Sequence, residues 1–570
     1  MSVLFDTPWA NQYPKEVPLT LDYPQQPLSA FLQQAARAYP KQTAVSFMGK
    51  ALSYEQLLEH AYRFANGLLS LGVQKGDRVG IILPNCPQSV IAYYGALFTG
   101  AVVVQFNPMY TEREIHHQAS DSGARILVCL DLVFPKVASA IQGTSVEKVI
   151  VTSIKDYLPF PKNYLYPLKA RKDRQAVEIR YDERTLSFPR LLKSAAAKPV
   201  QAEIDPKKDL ALLQYTGGTT GVSKGVMLTH ENLVANTQQA MRWIWKCKPG
   251  QETVLCVLPF FHVYGMTIGM NLAISLAAKM ILLPRFQPVD VLETIEKERP
   301  TLFPGAPTMY IALLNHADIE KYDLSSIEAC ISGSAPLPLE VQERFESLTG
   351  GKLVEGYGLT EASPVTHCNP IWGKRKNGSI GLPWPDTQAK IVDPDTLQEV
   401  EPGKPGELLV KGPQVMQGYW NRPAETAEVL KDGWLLTGDI AITDDEGYFY
   451  IVDRKKNLII AGGYNIYPRE VEEVLFEHPA VQEAAVIGVP DPYRGETVKA
   501  YIVLKHGQTV TEAELDAFCR QRLAAYKVPR LYEFRKELPK TMVGKVLKRA
   551  LQEEEQKRRA ASHESPTSVS

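Results

Sequence analysis

Tyr215-Thr-Gly-Gly-Thr-Thr-Gly-Val-Ser-Lys-Gly225 is the stretch on which the reading of this chain turns. Its eleven residues hold four glycines, four Ser or Thr hydroxyls and one lysine. Glycines let the backbone turn tightly and bring N–H groups against an anion. Hydroxyls and an ammonium then complete a cradle for a polyphosphate. Such clusters also make plain surface linkers. Here, however, Leu210 to Tyr215 has the pattern of a buried strand before the loop, and Val226 to Thr229 that of another directly after it. A linker is not clamped between core strands, so the loop is read as a phosphate binder.

Spacing narrows the choice of phosphate loop. The P-loop of kinases and GTPases reads Gly-x-x-x-x-Gly-Lys-Ser/Thr between a strand and a helix. Ser223, not glycine, precedes Lys224; Gly225 stands where a magnesium-holding hydroxyl is needed; and the loop joins strand to strand. These departures exclude a Walker loop.

Away from the loop, the N-terminal 200 residues alternate helix and strand patterns. Ser53-Tyr-Glu-Gln56 is a capping box opening a helix with Leu57, Leu58, Ala61, Phe64, Ala65, Leu68 and Leu69 on one face. Arg78 to Leu83, Ala101 to Phe106, Ala124 to Cys129 and Val149 to Val151 read as buried strands, and Thr111 to Glu114 as a helix cap. Such alternation predicts an α/β fold with a mostly parallel sheet. From 157 to 198 the pattern lapses into a basic, aromatic excursion. It is read as a solvated surface segment, with contact to anionic lipid as the alternative.

Downstream, glycine-rich turns repeatedly follow strand patterns. Leu258-Pro-Phe-Phe-His-Val-Tyr-Gly265 sets His262 among aromatics, and Ile331-Ser-Gly-Ser-Ala-Pro336 follows an apolar run. Ligand sites of α/β sheets lie beyond strand carboxyl ends, which makes both turns pocket candidates. Gly356-Tyr-Gly-Leu-Thr-Glu361 offers a ring to stack on a base and a carboxylate for Mg²⁺ on phosphate oxygens. Trp434-Leu-Leu-Thr-Gly-Asp439 ends in an acid suited to ribose hydroxyls, and Asp453-Arg-Lys-Lys456 interrupts two apolar runs as a domain boundary would. The last ~110 residues read as a small α/β unit, with a helix from Pro468 to Glu477 and another from Thr511 towards Lys527. They include Leu538-Pro-Lys-Thr-Met-Val-Gly-Lys545, and from 551 to 570 the composition, Glu/Lys/Arg from Gln552 and then Ser, predicts a fraying helix and a disordered tail.

Composition bounds the rest. At 570 residues the chain predicts about two to four domains. Its 45% apolar and 22% charged content is that of a globular protein, and a net charge of −1 gives nucleic acid no global attraction. Seven scattered cysteines without a C-x-x-C pair predict reduced thiols. With neither a signal-peptide pattern nor an apolar run near ~18 residues, the expected location is cytoplasmic, with the inner membrane face as a peripheral site.

Taken in order, these motifs resemble the adenylate-forming superfamily over residues 25 to 550, and within it bacterial long-chain fatty acid–CoA ligases. The resemblance implies a large, multi-subdomain N-terminal domain (1–454) and a small mobile C-terminal domain (455–550). It implies that Thr216, Gly217, Gly218, Thr219, Thr220, Gly221 and Lys224 hold the β and γ phosphates of ATP. Thr216 and Glu361 would position Mg²⁺, and Thr360 the α-phosphate. Gly333, Ser334, Ala335, Pro336, Gly356 and Tyr357 would form the adenine slot; Asp439 and Arg454 would bind ribose. Lys456 would be the hinge, Lys545 the catalytic lysine, Gly462 and Gly463 part of the coenzyme A tunnel, and His262, Val263 and Met266 the acid pocket. Partners implied are small molecules, with a homodimer and peripheral membrane contact left open. A medium-chain or coumarate-type acid is the alternative substrate, and a non-catalytic fatty-acid or nucleotide binder the alternative class.

Overall fold

The computed structural model describes residues 7–172, 176–216, 223–461, 464–491, 493–541 and 545–563. Contacts divide the chain into two compact units, Met1–Gln388 with Val410–Leu435, and Ala389–Leu409 with Leu436–Ser570.

The first unit is built on an eight-stranded sheet in the order Gly418–Tyr419, Lys224–Thr229, Leu210–Thr216, Val102–Gln105, Arg78–Ile82, Ile126–Leu130, Lys148–Thr152, Thr185–Ser187. From Leu210–Thr216 to Thr185–Ser187 all neighbours are parallel; the other two strands are antiparallel additions. Its interior strands are apolar on both faces because helices cover both. Local chemistry starts those helices where the sequence predicts. Ser53 and Gln56 exchange side-chain and backbone bonds, and Thr111 with Glu114 does the same. A third box, Thr229 with Asn232, starts the helix His230–Trp243 at the end of the strand after the phosphate loop.

A second sheet orders Thr253–Cys256, Lys279–Leu282, Thr43–Phe47 and Lys50–Ser53; a third orders Ala329–Ser332, Lys352–Gly358, Val365–Cys368 and Leu382–Pro383. Leu302 bridges Val254 and Ala329 between them. The 157–198 excursion carries more structure than its composition suggests: a helix Lys162–Lys172, an edge strand Thr185–Ser187 and a helix Phe188–Ser194. Phe188 is buried and stacks on Phe64 at 5.3 Å. A strand of three residues is too short to register as a period.

In the second unit, Val481–Asp491 and Gly495–Leu504 form a long antiparallel pair flanked by Ile459–Ala461 and Leu531–Arg535. Alternate residues serve different cores, as strand geometry requires. Ala484 and Val486 pack with Val471, Leu475 and Leu515, while Ala485, Ile487 and Val489 pack with Leu538 and Leu551.

That second face corrects the tail. The chain from 551 is helical through His563, within the helix Lys548–His563, because fully buried Leu551 fills the sheet's other face. Glu555 also accepts from Lys499 and Tyr501, and Glu554 from Arg535. The preceding helix is shorter than expected, Glu512–Arg520, and the chain after it seats Leu523 and Val528 in the core. All seven cysteines are free, six of them buried. Among the described residues no helix is long and apolar enough to cross a membrane.

Candidate active site

The strands on either side of the phosphate loop pair antiparallel, with Thr216 opposite Lys224. Gly217, Gly218, Thr219, Thr220 and Gly221 lie outside the described residues. The loop's two ends do not. Tyr215 donates its hydroxyl to Asp121 at 2.6 Å, and Trp420 Nε1 donates to the Asp121 carbonyl at 3.0 Å. Burial, then the Asp121 carboxylate, holds the Tyr215 phenol protonated far above its usual range. These bonds set the mouth of the loop in a fixed frame.

Lys224 pairs with Glu425, its ammonium lying 5.1 Å from the centre of the Tyr419 ring. The Tyr419 hydroxyl donates to Glu361 Oε1 at 2.8 Å, and Met416 N–H donates to the Glu361 carbonyl at 2.8 Å. Thr216, Lys224 and Glu361 are therefore neighbours through Tyr419, although 137 positions separate Lys224 from Glu361 in the sequence. Tyr419 and Glu425 were missed by motif reading. The glycine-aromatic run Gly418-Tyr-Trp420 was the available signal. Burial, followed by Glu361, raises the Tyr419 phenol far above its ordinary range, so it remains a donor to that carboxylate.

The adenine-slot candidates converge as the topology demands. Ala329–Ser332 and Lys352–Gly358 are parallel neighbours, with Ser332 opposite Glu355. Gly333 and Gly356-Tyr357 consequently leave the same carboxyl end. Gly333 is buried, Ser334, Ala335 and Tyr357 are half-buried, and Pro336 is exposed. Ser334 takes φ +74° and Ser363 φ +72°, left-handed backbone rarely held by non-glycine residues. Ser363 is fixed by its hydroxyl bond to the Gln414 carbonyl and by the Thr267 hydroxyl on its own carbonyl. Thr360 lies in the short 3-10 turn Thr360–Ala362 beside it.

His262 ends the turn after Thr253–Cys256 and is half-buried; Val263 and Met266 are buried behind it. The Phe261 carbonyl accepts from Gln214 on the strand leading to the phosphate loop, at 2.9 Å. Gly265 opens the wholly buried π-helical segment Gly265–Asn271. A Cβ there would press into the Pro259 and Leu258 carbonyl oxygens, so glycine is required by close approach.

The remaining candidates belong to the second unit. Asp439 and Arg454 are opposite each other on antiparallel strands and ion-paired at 3.1 Å. The Thr437 hydroxyl accepts from the Asp439 N–H, and the Glu407 carboxylate accepts from the Gly438 N–H before it. The hinge candidate Lys456 sits in the 3-10 turn Lys455–Asn457, whose ends are tied by Lys455 to Glu407 at 3.1 Å and by Asn457 to Asp453 at 3.1 Å. Buried Asp453 also accepts from the Arg454 and Arg469 N–H groups. It too was missed, since its role rests on a helix start 16 residues away. Gly462 and Gly463 lie outside the described residues.

Lys545 lies in the field of Asp439, Arg454 and Lys456. Desolvation first, then Arg454, Lys456 and Lys548, push its ammonium down to about 8, against the pull of Asp439. Lys456 is also lowered, chiefly by desolvation and then by Arg454. An amine poised near neutrality beside an acid–arginine pair is suited to an anionic reaction centre.

Comparisons with known proteins give the family. The model of the AMP-binding enzyme family matches residues 32–420, and that of its C-terminal domain matches 470–545. The chain belongs to the AMP-binding enzyme family. Within that family it is 56% identical over 551 residues to the long-chain-fatty-acid–CoA ligase of Bacillus subtilis (strain 168), covering 96% of this chain and 98% of that one. The ligase of the same description from Escherichia coli O157:H7 is 42% identical over 552 residues, again covering 96% and 98%. Among solved structures, the anthranilate CoA ligase AuaEII in complex with anthranoyl-AMP is 27% identical with a TM-score of 0.83, covering 96% of this chain and 99% of that one. The α/β adenylate-forming fold expected from the sequence is thereby established.

Proposed function

We propose that this AMP-binding enzyme is a long-chain fatty acid–CoA ligase, converting ATP, a fatty acid and coenzyme A into acyl-CoA, AMP and diphosphate. The observation that carries the reading is the 56% identity across nearly the whole of both chains. A fatty carboxylate attacks the α-phosphorus of ATP, the bond to the leaving diphosphate breaks, and acyl-AMP remains. The coenzyme A sulfur then attacks the acyl carbonyl and releases AMP.

Residue roles follow from charge and reach. Lys224, with Thr216 and the loop 217–221, takes the β and γ phosphates, exchanging its Glu425 partner for them. Gly333 to Pro336 with Gly356 and Tyr357 takes adenine; Asp439 and Arg454 take ribose. Thr360 contacts the α-phosphate. Lys545 supplies positive charge where two anions meet, an electrostatic contribution of the kind that dominates phosphoryl and adenylyl chemistry. Val263 and Met266, buried and apolar beside His262, offer no acid for an amino group, which supports a fatty over an amino-acid substrate. The Thr216 and Glu361 oxygens fit Mg²⁺, which keeps few protein ligands and prefers oxygen. Among the described residues no cluster of three or more His, Cys, Asp or Glu offers a denser site. Bound there, Mg²⁺ would neutralise phosphate charge.

The same reading keeps Lys456 as the pivot between steps, 455–550 as the moving domain and Gly462-Gly463 as tunnel lining. It also keeps the cytoplasmic location and contact with the membrane where long-chain acids partition. Diphosphate release measured across acids of graded length tests it. Turnover peaking at about C14–C18 supports the proposal; a peak with coumarate transfers it to aryl acids, and no turnover with any acid to a binder. In Lys545→Ala, acyl-AMP formation falls about 100-fold or more while thioester formation from supplied acyl-AMP persists. Equal loss of both steps in folded protein would overturn the role of Lys545.

A further inference from the structure

Lys224 can take a phosphate only by giving up Glu425, and the residues around the pair show where that carboxylate goes. Arg422 directly precedes the short helix Pro423–Val429, and Glu425 lies in its first turn, so the two are neighbours three positions apart. Glu425 bridges two cations. Its Oε2 meets the Lys224 ammonium, and its Oε1 lies 3.5 Å from Arg422 Nε. The backbone beneath them is tied down. The Thr426 hydroxyl donates to the Arg422 carbonyl at 2.8 Å and accepts from the Tyr419 N–H at 2.9 Å. The Trp420 N–H donates to the Gly225 carbonyl at 2.7 Å, which fixes this turn to the strand that begins with Lys224. A change of partners therefore falls to the side chains.

Arg422 is held from its other side as well. Its Nη2 lies 3.5 Å from Asp121 Oδ1, while Oδ2 of the same carboxylate accepts from the Tyr215 hydroxyl at 2.6 Å. Asp121 is largely buried and stays with Tyr215. A guanidinium has five donors in a planar fork, so Arg422 can serve Asp121 and Glu425 together. A polyphosphate on Lys224 sets negative charge beside Glu425, and a carboxylate left unpaired there would repel it. Arg422 neutralises that carboxylate without leaving Asp121. All five residues belong to the first unit.

We infer that Arg422 is a positioning residue for ATP, taking over the Glu425 carboxylate as the β and γ phosphates displace it from Lys224. The inference rests on the proposed phosphate role of Lys224 and is independent of which acid is activated. Titration calorimetry with Mg²⁺ and either ATP or AMP, without acid or coenzyme A, tests it. Arg422→Gln raises the Kd for ATP about fivefold and leaves that for AMP unchanged, because AMP lacks the phosphates that displace Glu425. In Glu425→Gln there is no carboxylate to relocate, so adding Arg422→Gln to it changes the Kd for ATP by less than about twofold. Arg422→Lys keeps a cation within reach of Glu425 and binds ATP nearly as wild type does. An equal loss of ATP and AMP affinity in Arg422→Gln would make Arg422 a structural support of the loop. A full Arg422→Gln effect in the Glu425→Gln background would make it a direct phosphate ligand. Either result would overturn the exchange. Lys224→Ala that binds ATP like wild type would remove the phosphate assignment itself, and the exchange with it.

Discussion

Lys545 carries the most direct consequence at the residue scale. Its ammonium is lowered from 10.5 to about 8, so acyl-AMP formation falls as pH rises through about 8 and the amine loses its proton. Lys545→Arg, charged at any working pH, keeps activity above that limb. The sign for stability is opposite. Between about 8 and 10.5 the unfolded chain holds this proton longer than the folded one, so the group favours folding as pH rises. A rate that declines in alkali while the melting temperature does not would separate the two effects; coincident decline would mean the protein is unfolding. Glu425 gives a second test. It and Lys224 are 31% and 16% exposed, so the pair is weak enough to be displaced by phosphate. Glu425→Gln lowers the KM for ATP by about two- to fivefold, measured in initial-rate assays, whereas an unchanged or raised KM would show that Glu425 has another task. At the residue scale, Lys224 and Glu361 stand out in the sequence through the motifs around them, and the fold joins them through Tyr419. Tyr419, Glu425 and Asp453 do not stand out, because each acts through a partner that only folding brings near.

Elements were legible where their chemistry is local. Ser53 with Gln56 and Thr111 with Glu114 announce helix starts within four residues, and the structure contains both boxes. The packing of the C-terminal helix was not, because Leu551 stands in a charged run and its partners come from strands 481–504. Leu551→Ala therefore costs about 2–4 kcal/mol of the second unit's stability, read from urea unfolding; a change below ~0.5 kcal/mol would mean the helix is only an appendage. The π-helical segment after His262 also escaped the period of an ordinary helix. Gly265→Ala, which forces a methyl group onto two carbonyl oxygens, lowers stability by about 1–3 kcal/mol and weakens acid binding, as thermal unfolding and KM would record. An unaltered melting temperature would show that the turn has room to relax.

The whole molecule distributes its chemistry over two units. The phosphate, adenine and acid candidates belong to the first; Asp439, Arg454, Lys456 and Lys545 belong to the second. A phosphate loop alone leaves open which bond of ATP breaks, and the second unit's lysine makes attack at the α-phosphorus the central claim. Isotope transfer tests that claim most directly. The enzyme is supplied with a C16 acid carrying oxygen-18 in its carboxylate, with ATP and coenzyme A, and the nucleotide product is weighed by mass spectrometry. Attack of carboxylate on the α-phosphorus predicts AMP bearing one heavy oxygen and unlabelled diphosphate. Label in inorganic phosphate with ADP as the nucleotide, or AMP with no label, would contradict an acyl-adenylate route.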